Sequence, residues 1–338
     1  MLLLSLATLL TYLSTAINAA QYDETLSFKA YMLTAAAYTD NNLNMIQTCV
    51  DKAYPSANSI KYSQISGSSY DCDVINSDKC TGIYVTLESY NTTIIAFRGT
   101  EKFDQYLEQL KASFQNPQDY TESGVAHGKI SSYYLRAGDM TYDNFLSASI
   151  AANPLQQNII ITGHSLGGAL AIMTGLNLLK RNLVLPDNLK VITFGEPRIG
   201  DYEFAQYVQS RLNYLFRVVH YHDIIPHFPA CTSNGNGCKE IPSEPYHHST
   251  EIWYGSEKTM KKGEYQVCDT NNGEDPNCSD KDTDVGNTLG ALFQNQHMEY
   301  FGDDIQKFGE RGCKSSASQM FSLLFLAITM CQLLYKYL

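Results

Sequence analysis

QNIIITGHSLGGALAIMTGLNLLK, residues 157–180, is the stretch that decides how this chain folds. NIIIT is a short β-branched run of the kind that makes a buried strand. GALAIMTGLNLLK has the length and composition of a helix. Between them stands GHSLG, residues 163–167, a G-x-S-x-G pentapeptide. A serine at such a strand-to-helix corner sits in a sharp, strained turn, and the positions two residues to either side must lack side chains. Gly163 and Gly167 meet that demand, and Gly168 lets the helix pack closely. The helix N-terminus also points backbone N–H groups toward the place where an oxyanion would develop.

A serine hydroxyl becomes a nucleophile only beside a base, and the base needs a carboxylate to orient it. On a strand–elbow–helix scaffold the order along the chain is Ser, then Asp or Glu, then His. LFRVVHYHDIIP, residues 215–226, reads as a strand that ends in a polar loop. It offers Asp223 as the acid, with Pro226 closing the turn. His297 in NQHMEYFG is the one histidine beyond His248 and is the candidate base. His247 and His248 compete for that role, but they precede the strand-like STEIWY and suit packing or hydrogen bonding better. His164 should point away from the Ser165 hydroxyl by strand alternation. His127, His220, His222 and His227 are read as structural.

Outward from this centre, strands and helices alternate. Residues 22–38 have helical apolar spacing. GIYVTLES and TTIIAFRGT flank a turn and predict a hairpin. Residues 101–114 turn helical, a polar, Gly-containing loop runs to about Lys129, and 130–152 are again helical. LKVITFGEPRIG repeats the strand-then-turn pattern, and YEFAQYVQSRL is a further helix. This alternation predicts one α/β domain over residues 21–313 with a mostly parallel sheet.

Composition sets the compartment and the partner class. The 338 residues carry a net charge of -11, without a long run of one sign, which argues against nucleic acid as a partner. Residues 1–20, MLLLSLATLLTYLSTAINAA, read as a secretory signal ending in small residues. Of nine cysteines, Cys331 lies in an apolar C-terminal tail, and the other eight form an even set suited to an oxidising compartment. Spacing suggests Cys72–Cys80, Cys231–Cys238 and Cys268–Cys278 as loop staples, leaving Cys49–Cys313 to join the ends; this is one of 105 connectivities. Asn91 and Asn277 are glycosylation sequons. The tail, residues 314–338, holds the apolar run MFSLLFLAITMCQLL after several small residues. It reads as a GPI-attachment signal, with a membrane anchor or a plain amphipathic end as alternatives.

Together GHSLGGALA, FRGT (97–100), GEPRIG (195–200), HDIIP (222–226) and HMEYFG make the chain, from about residue 84 to 302, resemble the class 3 lipases. The resemblance implies the α/β-hydrolase fold and hydrolysis of acylglycerol-type lipid esters at an interface; the N-terminal signal and C-terminal tail predict a secreted or surface-attached enzyme, expected to be a monomer. It implies a triad of Ser165, Asp223 and His297, with no metal or organic cofactor. It also implies an oxyanion hole from the Leu166 N–H and from Thr100. A lid follows the FRGT strand in that family. Here Phe103, Tyr106, Leu107 and Leu110 form one apolar helical face, either a lid or a face packed on the domain. A phospholipase A1, a mono- or diacylglycerol lipase and a feruloyl-type esterase remain alternatives on the same fold, as does a non-catalytic lipid-binding protein.

Overall fold

The computed structural model describes residues 20–55, 62–72, 79–100, 114, 116–233, 237–256, 260–282 and 296–314. Residues 1–19 of the signal segment, the lid candidates Phe103, Tyr106, Leu107 and Leu110, and residues 315–338 of the C-terminal tail lie outside the described residues.

An eight-stranded sheet organises the molecule, in the order β1-β2-β3-β6-β7-β8-β9-β10. The strands are β1 (Tyr62–Asp71), β2 (Lys79–Leu87), β3 (Thr92–Phe97), β6 (Asn158–His164), β7 (Leu189–Phe194), β8 (Tyr214–His220), β9 (Glu251–Tyr254) and β10 (Gln266–Val267). From β3 to β9 neighbouring strands run parallel; the pairs at both edges are antiparallel. Burial explains this arrangement. Every residue of β3 is buried, and β6 is buried from Ile159 onward, so both faces of these strands need cover.

Side-chain alternation divides that cover into two layers. Ile95, Phe97, Ile161 and Val191 face a core shared with the helices α3 (Ser132–Thr141), α5 (Leu166–Lys180) and α6 (Tyr202–Arg211). Ile94, Ala96, Ile192 and Val218 face the opposite core, shared with α1 (Glu24–Ala36), α2 (Leu43–Ala53) and α7 (Ile305–Glu310). Each buried Ile or Leu contributes roughly 1.5–3 kcal/mol. A short helix, α4 (Ser147–Ala152), continues α3 through a π-helical turn at Tyr142–Leu146. In α5 every residue from Leu166 to Leu179 is buried, which fixes the Ser165 corner between sheet and helix layer.

Four disulfides join Cys49 to Cys313, Cys72 to Cys80, Cys231 to Cys238 and Cys268 to Cys278. The first ties α2 to the residues just past α7.

One segment differs from the sequence reading. The expected polar loop before Lys129 is a hairpin of β4 (Gln118–Glu122) and β5 (Val125–Ile130). Its turn, Ser123-Gly124, has φ of 51° and 80°, the left-handed pair that suits a two-residue hairpin. Only a few side chains, among them Tyr120 and Ile130, are buried there, so the apolar alternation that marks a strand is faint.

Candidate active site

The site lies at the C-terminal ends of the central parallel strands, where an open α/β sheet gathers its functional loops. His164 ends β6, and Ser165 follows it with φ 58° and ψ -126°. A non-glycine residue at positive φ is strained and is held there only by its surroundings. The surroundings are backbone. A Cβ at Gly163 would collide with the Gly167 carbonyl, and one at Gly167 would collide with Phe97 O and lie 2.6 Å from Arg98 O. The elbow is therefore wedged against the end of β3. Ser165 occupies the N-cap of α5 and makes no capping bond with its side chain, so the hydroxyl is not used up by the helix. Leu166 is the first residue of that helix, whose opening N–H groups have no partner within the helix.

Asp223 follows β8 and is fully buried. Its two carboxylate oxygens both lie 2.9 Å from His297 Nδ1. Tyr300 donates its hydroxyl to Oδ2 at 2.7 Å, and the Ile225 N–H donates to Oδ1 at 3.0 Å. Burial disfavours the charge on Asp223. The charged form of His297 and these donors outweigh it and hold the carboxyl below the usual range. Burial, and then the neighbouring Asp223 charge, push the Tyr300 hydroxyl the other way, so it stays protonated and donates. With Nδ1 donating to a carboxylate, the neutral imidazole of His297 keeps its lone pair on Nε2, the tautomer a general base requires.

Gly195 joins this pair to the elbow. The Ser165 N–H donates to Phe194 O at 2.9 Å, and Gly195 is the next residue along. A Cβ at Gly195 would lie 2.6 Å from Asp223 Oδ2 and 2.9 Å from His297 Cε1 and Nδ1. Its φ of 56° also favours glycine. On the other side, a Cβ at Gly99 would lie 2.9 Å from Ser165 Cβ, so the segment leading into Thr100 touches the Ser165 corner. Thr100 Oγ1 is buried and has no hydrogen-bond partner among the described residues. An orphaned buried hydroxyl is costly unless a ligand group completes it.

Histidines read as structural in the sequence, together with Arg198 and Glu274, which the sequence reading did not single out, hold the loops around the site. His247 Nε2 donates to Pro226 O at 2.8 Å, and His248 lies 3.1 Å from Glu196, beneath the elbow. Arg198 donates to the carbonyls of His227 and Pro229, directly after the acid loop, while its other nitrogens grip Glu274. Burial raises the Glu274 pKa, against the opposing pull of Arg198. His227 pairs with Asp280 at 3.0 Å; His127 is outside this frame and stacks on Tyr207 of α6, which bonds Glu122 of β4. Tyr300, three residues past His297, was missed; the HMEYFG spacing was its available signal. Asn91 and Asn277 are exposed, on turns outside this centre.

Comparison with known proteins agrees with the geometry. The family model for Lipase (class 3) matches residues 94–233. A lipase of Caenorhabditis elegans is 30% identical over 312 residues, covering 88% of this chain and 84% of that protein. A Rhizomucor miehei lipase is 30% identical over 262 residues, covering 73% of this chain and 66% of that one. Among solved structures, lipase II from Rhizopus niveus superposes with a TM-score of 0.64 at 26% identity, over 85% of this chain and 97% of its own. The elbow, the buried acid–imidazole pair and an alignment running nearly the length of the nematode relative together make this chain a member of the class 3 lipase family.

Proposed function

We propose that the chain is a secreted serine hydrolase that cleaves acylglycerol-type lipid esters through Ser165, His297 and Asp223. His297 Nε2 takes the Ser165 proton as the hydroxyl attacks the ester carbonyl. Asp223 fixes the tautomer and stabilises the imidazolium. The Leu166 N–H and Thr100 receive the oxyanion. The alcohol departs with the proton from His297, and water then hydrolyses the acyl-enzyme by the same route.

The observation that carries this reading is the packing around Gly195. The Asp223–His297 pair fills the space where a side chain would stand, one residue from the carbonyl that anchors Ser165. The orphaned Thr100 hydroxyl beside Gly99 supports the oxyanion role. Four disulfides support an oxidising, extracellular setting, with glycans on the exposed Asn91 and Asn277. The apolar tail extends the proposal to attachment at the outer cell surface.

The substrate class is tested by turnover on a panel running from short aryl esters through diolein and triolein to phosphatidylcholine. Turnover of the aryl esters and of emulsified acylglycerols is expected. Turnover confined to phosphatidylcholine would move the assignment to a phospholipase A1, and none on any carboxylic ester would overturn it.

A further inference from the structure

His164 stands next to the nucleophile but plays no part in the proton transfers above. Its ring is buried on the face of the sheet away from α5. There Nε2 lies 2.7 Å from the carbonyl oxygen of His297, and Nδ1 lies 2.7 Å from the Tyr38 hydroxyl. The Tyr38 hydroxyl in turn accepts the Gly99 N–H at 2.8 Å. The His164 and His297 rings are tilted against each other, with centroids 4.4 Å apart.

The direction of each bond follows from the inventory of donors and acceptors. A carbonyl oxygen only accepts, so His164 Nε2 carries a proton and donates it to His297 O. Burial, reinforced by the nearby His297, drives the His164 pKa down to about 3, so the ring is neutral. Its Nδ1 then has a lone pair and accepts from the Tyr38 O–H. The chain is thus ordered: Gly99 N–H to Tyr38, Tyr38 O–H to His164 Nδ1, and His164 Nε2–H to His297 O. It begins one residue before Thr100 and ends on the backbone of His297. Its third member, His164, is bonded covalently to Ser165.

We propose that His164, oriented by Tyr38, is a positioning residue that sets the base and the oxyanion arm in register with the nucleophile. This rests on the catalytic roles proposed above for Ser165, His297 and Thr100. An imidazole suits the task because it presents an acceptor and a donor on opposite sides of one rigid ring. Displacement of reacting groups by about 1 Å costs about 100-fold in rate. The loss should therefore fall on kcat and leave substrate binding alone.

The test compares Tyr38→Phe, His164→Leu and His164→Gln with the wild type on a soluble p-nitrophenyl ester. Rates are divided by the sites titrated with a fluorophosphonate, so that misfolded molecules do not count. His164→Leu should lower kcat per titrated site about 30- to 100-fold, and Tyr38→Phe about 10-fold, with KM within about threefold. His164→Gln supplies an amide oxygen for Tyr38 and an N–H for His297 O, and should recover part of the loss. Tyr38→Phe keeps the ring and carries the test should His164→Leu not fold. A purely structural role would lower the melting temperature and the number of titrated sites with kcat per site unchanged, and that result overturns the proposal. A wild type that neither hydrolyses the ester nor reacts with the fluorophosphonate overturns the catalytic reading instead.

Discussion

His297 Nδ1 is equidistant, at 2.9 Å, from both carboxylate oxygens of Asp223, and that carboxylate is closed off from water on every side. Its remaining acceptor sites are filled by Tyr300 and the Ile225 N–H. An Asp held in this way is set up to remain charged and to fix one tautomer of its histidine. Asp223→Asn keeps the shape but presents an amide to Nδ1 and favours the wrong tautomer. A fall in kcat of about 10³- to 10⁴-fold is expected, with the circular dichroism spectrum unchanged. A loss under tenfold would show that the carboxylate is dispensable.

The Thr100 hydroxyl is buried and unpartnered among the described residues, so its role is testable by truncation. Thr100→Val removes the donor at nearly constant volume and should lower kcat about 100- to 1,000-fold. Thr100→Ser keeps the donor and should stay within about tenfold of wild type. Equal activity of the two variants would place the oxyanion donor elsewhere.

His164 links stability to pH. Its pKa in the fold is about 3, against 6.5 for an ordinary histidine. Between those values the unfolded chain binds a proton that the folded chain refuses, so stability is full above about pH 6.5 and is lost as pH falls toward 3. The contribution is on the order of a few kcal/mol. His164→Gln should flatten the melting temperature between pH 7 and 4. Some slope should survive from His247, which burial and then Arg217 also hold neutral. Parallel profiles for variant and wild type would contradict the assignment.

The Cys49–Cys313 bridge spans 264 residues of sequence, and Cys72–Cys80 spans 8. In the chain-entropy account the long loop is worth about 5 kcal/mol and the short one about 2–3. Replacing Cys49 and Cys313 together by Ser should therefore lower the urea midpoint more than replacing Cys72 and Cys80. The reverse order would mean that local packing, not loop closure, governs their contributions.

Glycine sterics at the elbow are not uniform. Gly163→Ala places its methyl group on the Gly167 backbone, which cannot step aside, and should cost about 3 kcal/mol or more. Gly168→Ala meets only side-chain atoms, Glu196 Cβ at 3.1 Å and Cγ at 3.3 Å, so a cost of about 1 kcal/mol is expected. Thermal or urea unfolding of the two variants measures the difference directly.

The parts of this fold legible in the sequence are those where one face or both are strongly apolar. The β3, β6, β7 and β8 strands and the α5 helix read directly from β-branched runs and helical spacing. The order that a serine elbow imposes pointed to Asp223 after β8 and to the late His297, and the fold brings the two within 2.9 Å. The β4–β5 hairpin has no strand pattern in the sequence because its strands are mostly solvated. The Ser- and Gly-rich β1 (YSQISGSSYD) escaped notice for want of an apolar run. The hydrogen-bond chain through His164 is not legible in the sequence either. Alternation turned its ring away from the Ser165 hydroxyl, but its partners, Tyr38 and the His297 carbonyl, lie 126 and 133 residues distant in sequence. Such long-range bonds leave no local pattern.

The most direct test of the catalytic reading is intact-mass and peptide mapping after treatment with a fluorophosphonate, run beside ester hydrolysis by Ser165→Ala. One adduct on the Ser165 peptide, loss of activity in step with labelling, and a folded but inactive Ser165→Ala are the predicted results. An adduct on another residue, or ester turnover retained by Ser165→Ala, would contradict it.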